Sequence, residues 1–181
     1  IMVRGDSKIT ELAQLRNVPI AVTGHAGTFY AAIEVLEEIN VPYDDIKLVH
    51  ANDRLAALLD GETEAAALME PLVSRAVSAG CRKLVDLRWR GGIVVSDEVD
   101  DDTADRIMRA LNRAVKYLKE NEETSREELL RDLTPEQRKT GMLPELIGAQ
   151  TYKATEFDEK VDWMMKRGLL KEAPKYEEIV R

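Results

Sequence analysis

The stretch Thr23-Gly-His-Ala-Gly-Thr28 gathers in one short turn several groups that hold polar ligands. Free backbone N–H groups at the start of a helix, reinforced by the positive end of its dipole, favour an anionic or polar partner. Gly24 and Gly27 would let a ligand approach the backbone closely, and Thr23, His25 and Thr28 add side-chain donors. The plain alternative is an ordinary strand-to-helix turn with Thr28 as its cap. No Gly-Lys-Ser/Thr follows, and two glycines do not make a dinucleotide fingerprint, so nucleotide binding is not expected.

Other candidates lie downstream. Of Phe29 and Tyr30, in the first helical turn, one should enter the core and the other edge the turn. Met69 and Glu70 close an apolar run, at the strand end where open α/β sheets place ligands, and Glu70 could accept from an amine or hydroxyl. Its alternative role is a first-turn acid at a helix N-terminus. Arg88-Trp89-Arg90 could stack on a ligand or pair with a carboxylate or sulfonate, or could be a solvated linker. Asn52 and Asp53 read first as a helix cap, and Asp97 and Glu98 as acids leading a helix. Material for catalysis is thin, which argues against an enzyme without excluding one. His25 and His50 are the only histidines, and Cys81 follows Gly80 with no base beside it. His25 with Glu70 could form an acid/base pair across neighbouring strand ends. No cofactor and no metal site is expected.

Alternating elements must position these groups. Val18 to Thr23 reads as a buried strand, followed by a helix from Thr28 to Glu38 with Phe29, Ala32, Ile33, Leu36 and Ile39 at helical spacing. Asn40-Val-Pro42 stops it. Ile46 to His50 is the next strand, with a helix from Leu55 to Asp60-Gly61. Ala65 to Met69 is a third strand, and Glu70-Pro71 opens another helix, with proline in its first turn. Lys83 to Leu87 and Ile93 to Ser96 complete the strands expected after the opening run from Ile1 to Arg4. Such alternation argues for a mainly parallel sheet flanked by helices. Beyond it the chain reads as helices over 105–120, 125–133, 135–140 and 156–167, the last starting after Thr155.

The 181 residues carry a net charge of -8, with 44% hydrophobic and 33% charged side chains, a composition that can bury a core. That charge opposes a phosphate backbone and leaves no basic stripe, so nucleic acid is not an expected partner. The single cysteine excludes an intrachain disulfide and a cysteine-based metal site. The longest uncharged apolar stretches fall far short of the roughly 20 residues of a spanning helix. No signal-peptide pattern opens the chain, and its start at Ile1 suggests processing or excision.

In order, the strand Ile1 to Arg4 with Asp6-Ser-Lys-Ile9, the segment Val18 to Thr28, and the segment Leu55 to Pro71 resemble substrate-binding proteins of ABC transporters. The likeness is to those for sulfonates, nitrate or bicarbonate, and thiamine-pyrimidine precursors. The resemblance implies an α/β fold of the type 2 periplasmic-binding-protein kind, with the usual N-terminal portion of about 90 residues absent. It divides the chain into an opening strand and hinge (1–15), an α/β lobe (16–87), a hinge and return strand (88–96), and a C-terminal helical part of the other lobe (97–181). It places Thr23, Gly24, His25, Gly27, Thr28, Tyr30, Met69, Glu70, Arg88 and Trp89 on an interlobe cleft that binds a small polar or anionic organic molecule. The implied partners are that ligand, an ABC permease, and a second chain or a second copy covering the missing lobe. A periplasmic or extracellular location would follow if the chain serves a transporter. Relatives on this fold include a sulfinate desulfinase and a thiamine-pyrimidine synthase. The former's nucleophilic cysteine lies in the absent portion, and Cys81 does not match it. The two separated histidines do not supply the cluster of the latter.

Overall fold

The structure is a computed structural model that describes residues 1–141, 143 and 145–180; Met142, Pro144 and Arg181 lie outside the described residues. The chain forms two compact units, Ile1–Val94 with Glu122–Pro144, and Val95–Asn121 with Glu145–Arg181.

The first unit holds a five-stranded sheet. Its strands are β1 (Met2–Val3), β2 (Pro19–Val22), β3 (Lys47–His50), β4 (Ala65–Ala66) and β5 (Arg82–Lys83), in the order β3-β2-β4-β1-β5. β2 runs parallel to both β3 and β4, while β1 is antiparallel to its neighbours β4 and β5. Four strands therefore share one direction and the opening strand is reversed among them, so the sheet is mixed.

Helices α1 (Gly27–Glu38), α2 (Arg54–Leu59) and α3 (Leu72–Ser78) return the chain between strands. Strand alternation sends successive side chains to opposite faces, and the two core clusters follow it. Ile1, Val3, Ile20, Val22, Ala65 and Ala67 pack with Ala32 and Leu36 of α1 on one face. Met2, Ala21 and Ala66 pack with Ala57 and Leu58 of α2 and Ala76 of α3 on the other. Strand β4 contributes only alanines to both clusters, so backbone on each face can come close.

Several boundaries move from their sequence expectation. The third strand is formed over Ala65–Ala66, although the Ala67 N–H still donates to the Ala21 carbonyl at 2.9 Å. Beyond it the chain bends into a cis Glu70–Pro71 bond, and Pro71 stands at the N-cap of α3, ahead of the helix. The fourth strand starts at Arg82 and its regular ladder is short, with looser bonds from Leu84 N to the Ile1 carbonyl and from Ile1 N to the Val85 carbonyl. The expected strand over 93–96 is not formed. Two flexible glycines precede it, Val94 is 94% exposed, and no neighbouring strand pairs with it among the described residues.

Helix α4 (Asp101–Glu120) begins earlier than its apolar spacing suggests. The Asp100 carboxylate accepts from the Thr103 N–H at 2.7 Å, so the following acids form the first turn. Helix α5 (Glu122–Leu129) is likewise shifted toward the N-terminus. Helix α6 (Pro135–Thr140) starts on a reciprocal capping box between Thr134 and Gln137. The second unit comprises α4, α7 (Ala154–Lys166) and α8 (Tyr176–Ile179). Lys153, not Thr155, occupies the N-cap of α7. Phe157 and Val161 are the buried hydrophobic residues of that helix, and Phe157 packs edge-on against Tyr152 and Tyr176. No described helix is long and apolar enough to cross a membrane.

Candidate functional site

All ten candidate residues belong to the first unit. β2 delivers the chain into Thr23 and Gly24, and the turn then reverses through His25, whose φ of 57° is left-handed. That geometry points the next residues into α1. Ala26 occupies the N-cap and supplies no side-chain acceptor, so nothing in the sequence caps this helix. The N–H groups of Gly27 and Thr28 have no acceptor among the described residues. Uncapped amides of this kind attract negative charge.

Several side chains contact that turn. Gly24 donates its N–H to Nδ1 of His50 at 3.1 Å, and Nε2 of His50 lies 3.2 Å from Oδ1 of Asn52. The His25 ring pairs through Nδ1 with the Tyr30 hydroxyl at 3.3 Å and lies 5.6 Å from the Phe29 ring, centre to centre. Phe29 itself packs toward the α1 core and lines an open cavity of about 300 Å³ with Ile33, Tyr43, Ile46 and Leu48. Tyr30 is thus the aromatic that edges the turn. The Trp89 indole covers Gly27, where an added Cβ would sit 2.2 Å from Nε1. Gly27 is required for this packing, so its open side faces an indole.

Thr28 is 2% exposed, and its hydroxyl does not cap α1. It accepts a hydrogen bond from Nη1 of Arg54 at 3.2 Å, and the same nitrogen donates to the Ala67 carbonyl at 3.0 Å. Arg54 opens α2, where Asp53 is the N-cap and accepts from the Ala56 N–H at 2.9 Å. Burial lowers the Arg54 pKa from its usual value, with no acidic neighbour raising it again. One guanidinium therefore ties the start of α2 to the first turn of α1 and to the chain just past β4. Sequence reasoning passed over Arg54, because its partners lie 26 and 13 residues away.

At the end of β4, Met69 is 50% exposed. The Glu70 carboxylate accepts from both the backbone N–H (3.1 Å) and the hydroxyl (3.0 Å) of Ser74, and so closes the first turn of α3. No hydrogen bond joins His25 to Glu70, and the conceivable acid/base pair is not formed. Arg88 is exposed on the segment that carries Trp89. Cys81 is buried in the second core cluster, where desolvation raises its thiol pKa; it lacks the thiolate character of a nucleophile. No group of His, Cys, Asp and Glu side chains that could hold a metal ion occurs among the described residues.

Sheet order, strand directions and helix placement define a fold of the type 2 periplasmic-binding-protein kind. The alkanesulfonate-binding protein SsuA from Xanthomonas axonopodis pv. citri, bound to MOPS, superposes with a TM-score of 0.73 at 17% identity, over 96% of this chain and 65% of its own. The periplasmic aliphatic sulphonate binding protein SsuA from Escherichia coli gives 0.70 at 16% identity, over 99% of this chain and 64% of its own. This chain thus spans just under two thirds of the length of either protein. The desulfurization enzyme DSZB is also similar, with a TM-score of 0.59 at 14% identity, over 95% of this chain and 70% of its own. No family model matches the sequence. No curated protein matches it.

Proposed function

We propose that this chain binds a small polar or anionic organic solute at the turn Thr23 to Thr28, as the solute-binding component of an ABC-type uptake system. The observation that carries this reading is the uncapped start of α1, with the Gly27 and Thr28 amides unpaired at the end of β2. His25, Tyr30, Met69, Arg88 and Trp89 would line the same wall, with Glu70 buttressing it through α3. A fold shared with two sulfonate-binding proteins makes an organosulfonate the first ligand class to try. Capture needs no covalent chemistry, and an ABC permease would receive the solute.

The opposing wall we assign to polypeptide outside this chain, a partner or a second copy. The matched region makes up 65% and 64% of the two sulfonate-binding proteins, which supports this. The similarity to DSZB favours a second reading, an enzyme on the same fold. The burial of Cys81 argues against a nucleophilic cysteine in this chain.

Isothermal titration against sulfonates, carboxylates and uncharged analogues tests the reading. Saturable, one-to-one binding of at least one member is expected. Failure of every member to bind would remove the solute-binding function, and turnover of a sulfinate would replace it with the enzymatic one.

A further inference from the structure

His50 stands at the end of β3, where the β2–β3 ladder gives out. The Val22 carbonyl still accepts from the Ala51 N–H at 3.0 Å, but the Gly24 N–H finds its acceptor in a side chain, Nδ1 of His50 at 3.1 Å. A backbone N–H can only donate, so this contact requires a bare Nδ1. The hydrogen of the neutral ring then sits on Nε2, which faces Oδ1 of Asn52 at 3.2 Å and donates to it. The two partners therefore assign one tautomer and one charge state to the ring.

An imidazolium carries a hydrogen on both nitrogens. It would set Nδ1–H against the Gly24 N–H, donor facing donor, so protonation and this hydrogen bond exclude each other. Nothing nearby offsets the conflict: among the described residues no carboxylate lies within ion-pair distance of the ring. The charged and titratable groups on the elements around it have other partners. Lys47 on β3 donates to the Asp44 carbonyl, Asp53 at the start of α2 accepts from the Ala56 amide, Arg54 donates to Thr28 and Ala67, and His25 in the turn pairs with Tyr30. The paired strand β2, Pro19–Val22, carries no charged side chain. His25 differs from His50 in its partner, because the Tyr30 hydroxyl can donate or accept and so serves either charge state.

We infer that the Gly24–His50 contact is a pH-sensitive latch on the β2–α1 turn. The neutral imidazole holds the turn against the end of β3, and uptake of a proton at Nδ1 opens that hold. The turn keeps its internal bond from the Ala26 N–H to the Thr23 carbonyl at 3.2 Å, so opening frees it from β3 without unfolding it. The ring is exposed and equilibrates with the solvent. Histidine changes charge between about pH 5 and 8, which is the range in which the latch works. The inference concerns the turn alone and stands whether or not a solute binds there.

NMR of the chain from pH 8 down to pH 5 tests it. At pH 8 the His50 ring should show a bare Nδ1 and a protonated Nε2. As the pH falls, the Gly24 amide should shift along the same curve as the His50 ring. Its protection from hydrogen exchange, corrected for the intrinsic rate at each pH, should fall about fivefold, as expected for the loss of one neutral hydrogen bond. His50→Gln removes the titrating ring and should flatten the Gly24 curve. His25→Asn suits the left-handed backbone at that position, removes the other histidine and should leave the curve in place.

A protonated Nδ1 at pH 8 overturns the inference. So does a Gly24 amide that ignores the His50 titration, or one that still follows pH in His50→Gln. A curve lost in His25→Asn would assign the switch to the other histidine and overturns the inference as well.

Discussion

Gly27→Ala separates two ways in which the wall around α1 could yield. The new methyl would lie 2.2 Å from Nε1 of Trp89, 2.5 Å from Cε2 and 2.6 Å from Cδ1, against ordinary contacts beginning at 3.4 Å. The indole must therefore retreat by roughly 1 Å or more. Trp89 is 43% exposed and sits on a segment without regular structure, so the ring moves more easily than the first turn of α1. The indole has roughly 100 Å² in contact, and losing all of it would cost on the order of 2–3 kcal/mol. A partial retreat forfeits a fraction of that. Alanine also returns up to about 1 kcal/mol by restricting the unfolded chain and favouring helix. The opposing effects leave net stability within about 1 kcal/mol of wild type, so denaturation alone does not report the event. Fluorescence does, once Trp163→Phe removes the only other tryptophan. Trp89 emission should shift to the red and its quenching by acrylamide should rise. Unchanged emission together with a loss of several kcal/mol would mean that the helix yields instead, and would refute the packing of the indole on Gly27.

Two further expectations follow from the scaffold. Leu58 is fully buried in the second core cluster, so Leu58→Ala should cost about 2–5 kcal/mol in urea unfolding, and a loss below 1 kcal/mol would contradict its burial. Hydrogen bonds from the Thr103 N–H and then from its hydroxyl lower the Asp100 pKa below its unfolded value. The unfolded chain then binds the proton first. Asp100's contribution is complete above its unfolded pKa and is lost as pH falls through the lower folded pKa. Amide exchange in the first turn of α4 should accelerate over that acidic window. Asp100→Asn should keep the cap and abolish the pH dependence; an unaltered pH profile would show that another group titrates.

Local chemistry was legible where the deciding groups are neighbours in sequence. The apolar run ending at Val22, the helical spacing after Thr28 and the stop at Pro42 fix β2 and α1 to within a residue or two. Boundaries set by partners were not legible. The run Ile93 to Ser96 has strand composition, yet composition cannot provide a second strand to pair with. The reversed direction of β1 is equally silent in its own residues, because Met2 and Val3 would pack the same way in either orientation.

The same distinction governs the site. The glycines and threonines of the turn announce a sharp strand-to-helix reversal because their chemistry acts over a few residues. Thr28 looks like the natural cap of α1 by that local logic, but Ala26 takes the N-cap and the Thr28 hydroxyl turns to Arg54. Thr28 lies inside the first turn of α1, and the residue at the N-cap, Ala26, has no side-chain acceptor, so the first helix amides stay unpaired. The hydroxyl of Thr28 meets its partner 26 positions along the chain. Thr28 thus carries an unpaired backbone N–H and the guanidinium contact together, and neither is legible in the residues beside it.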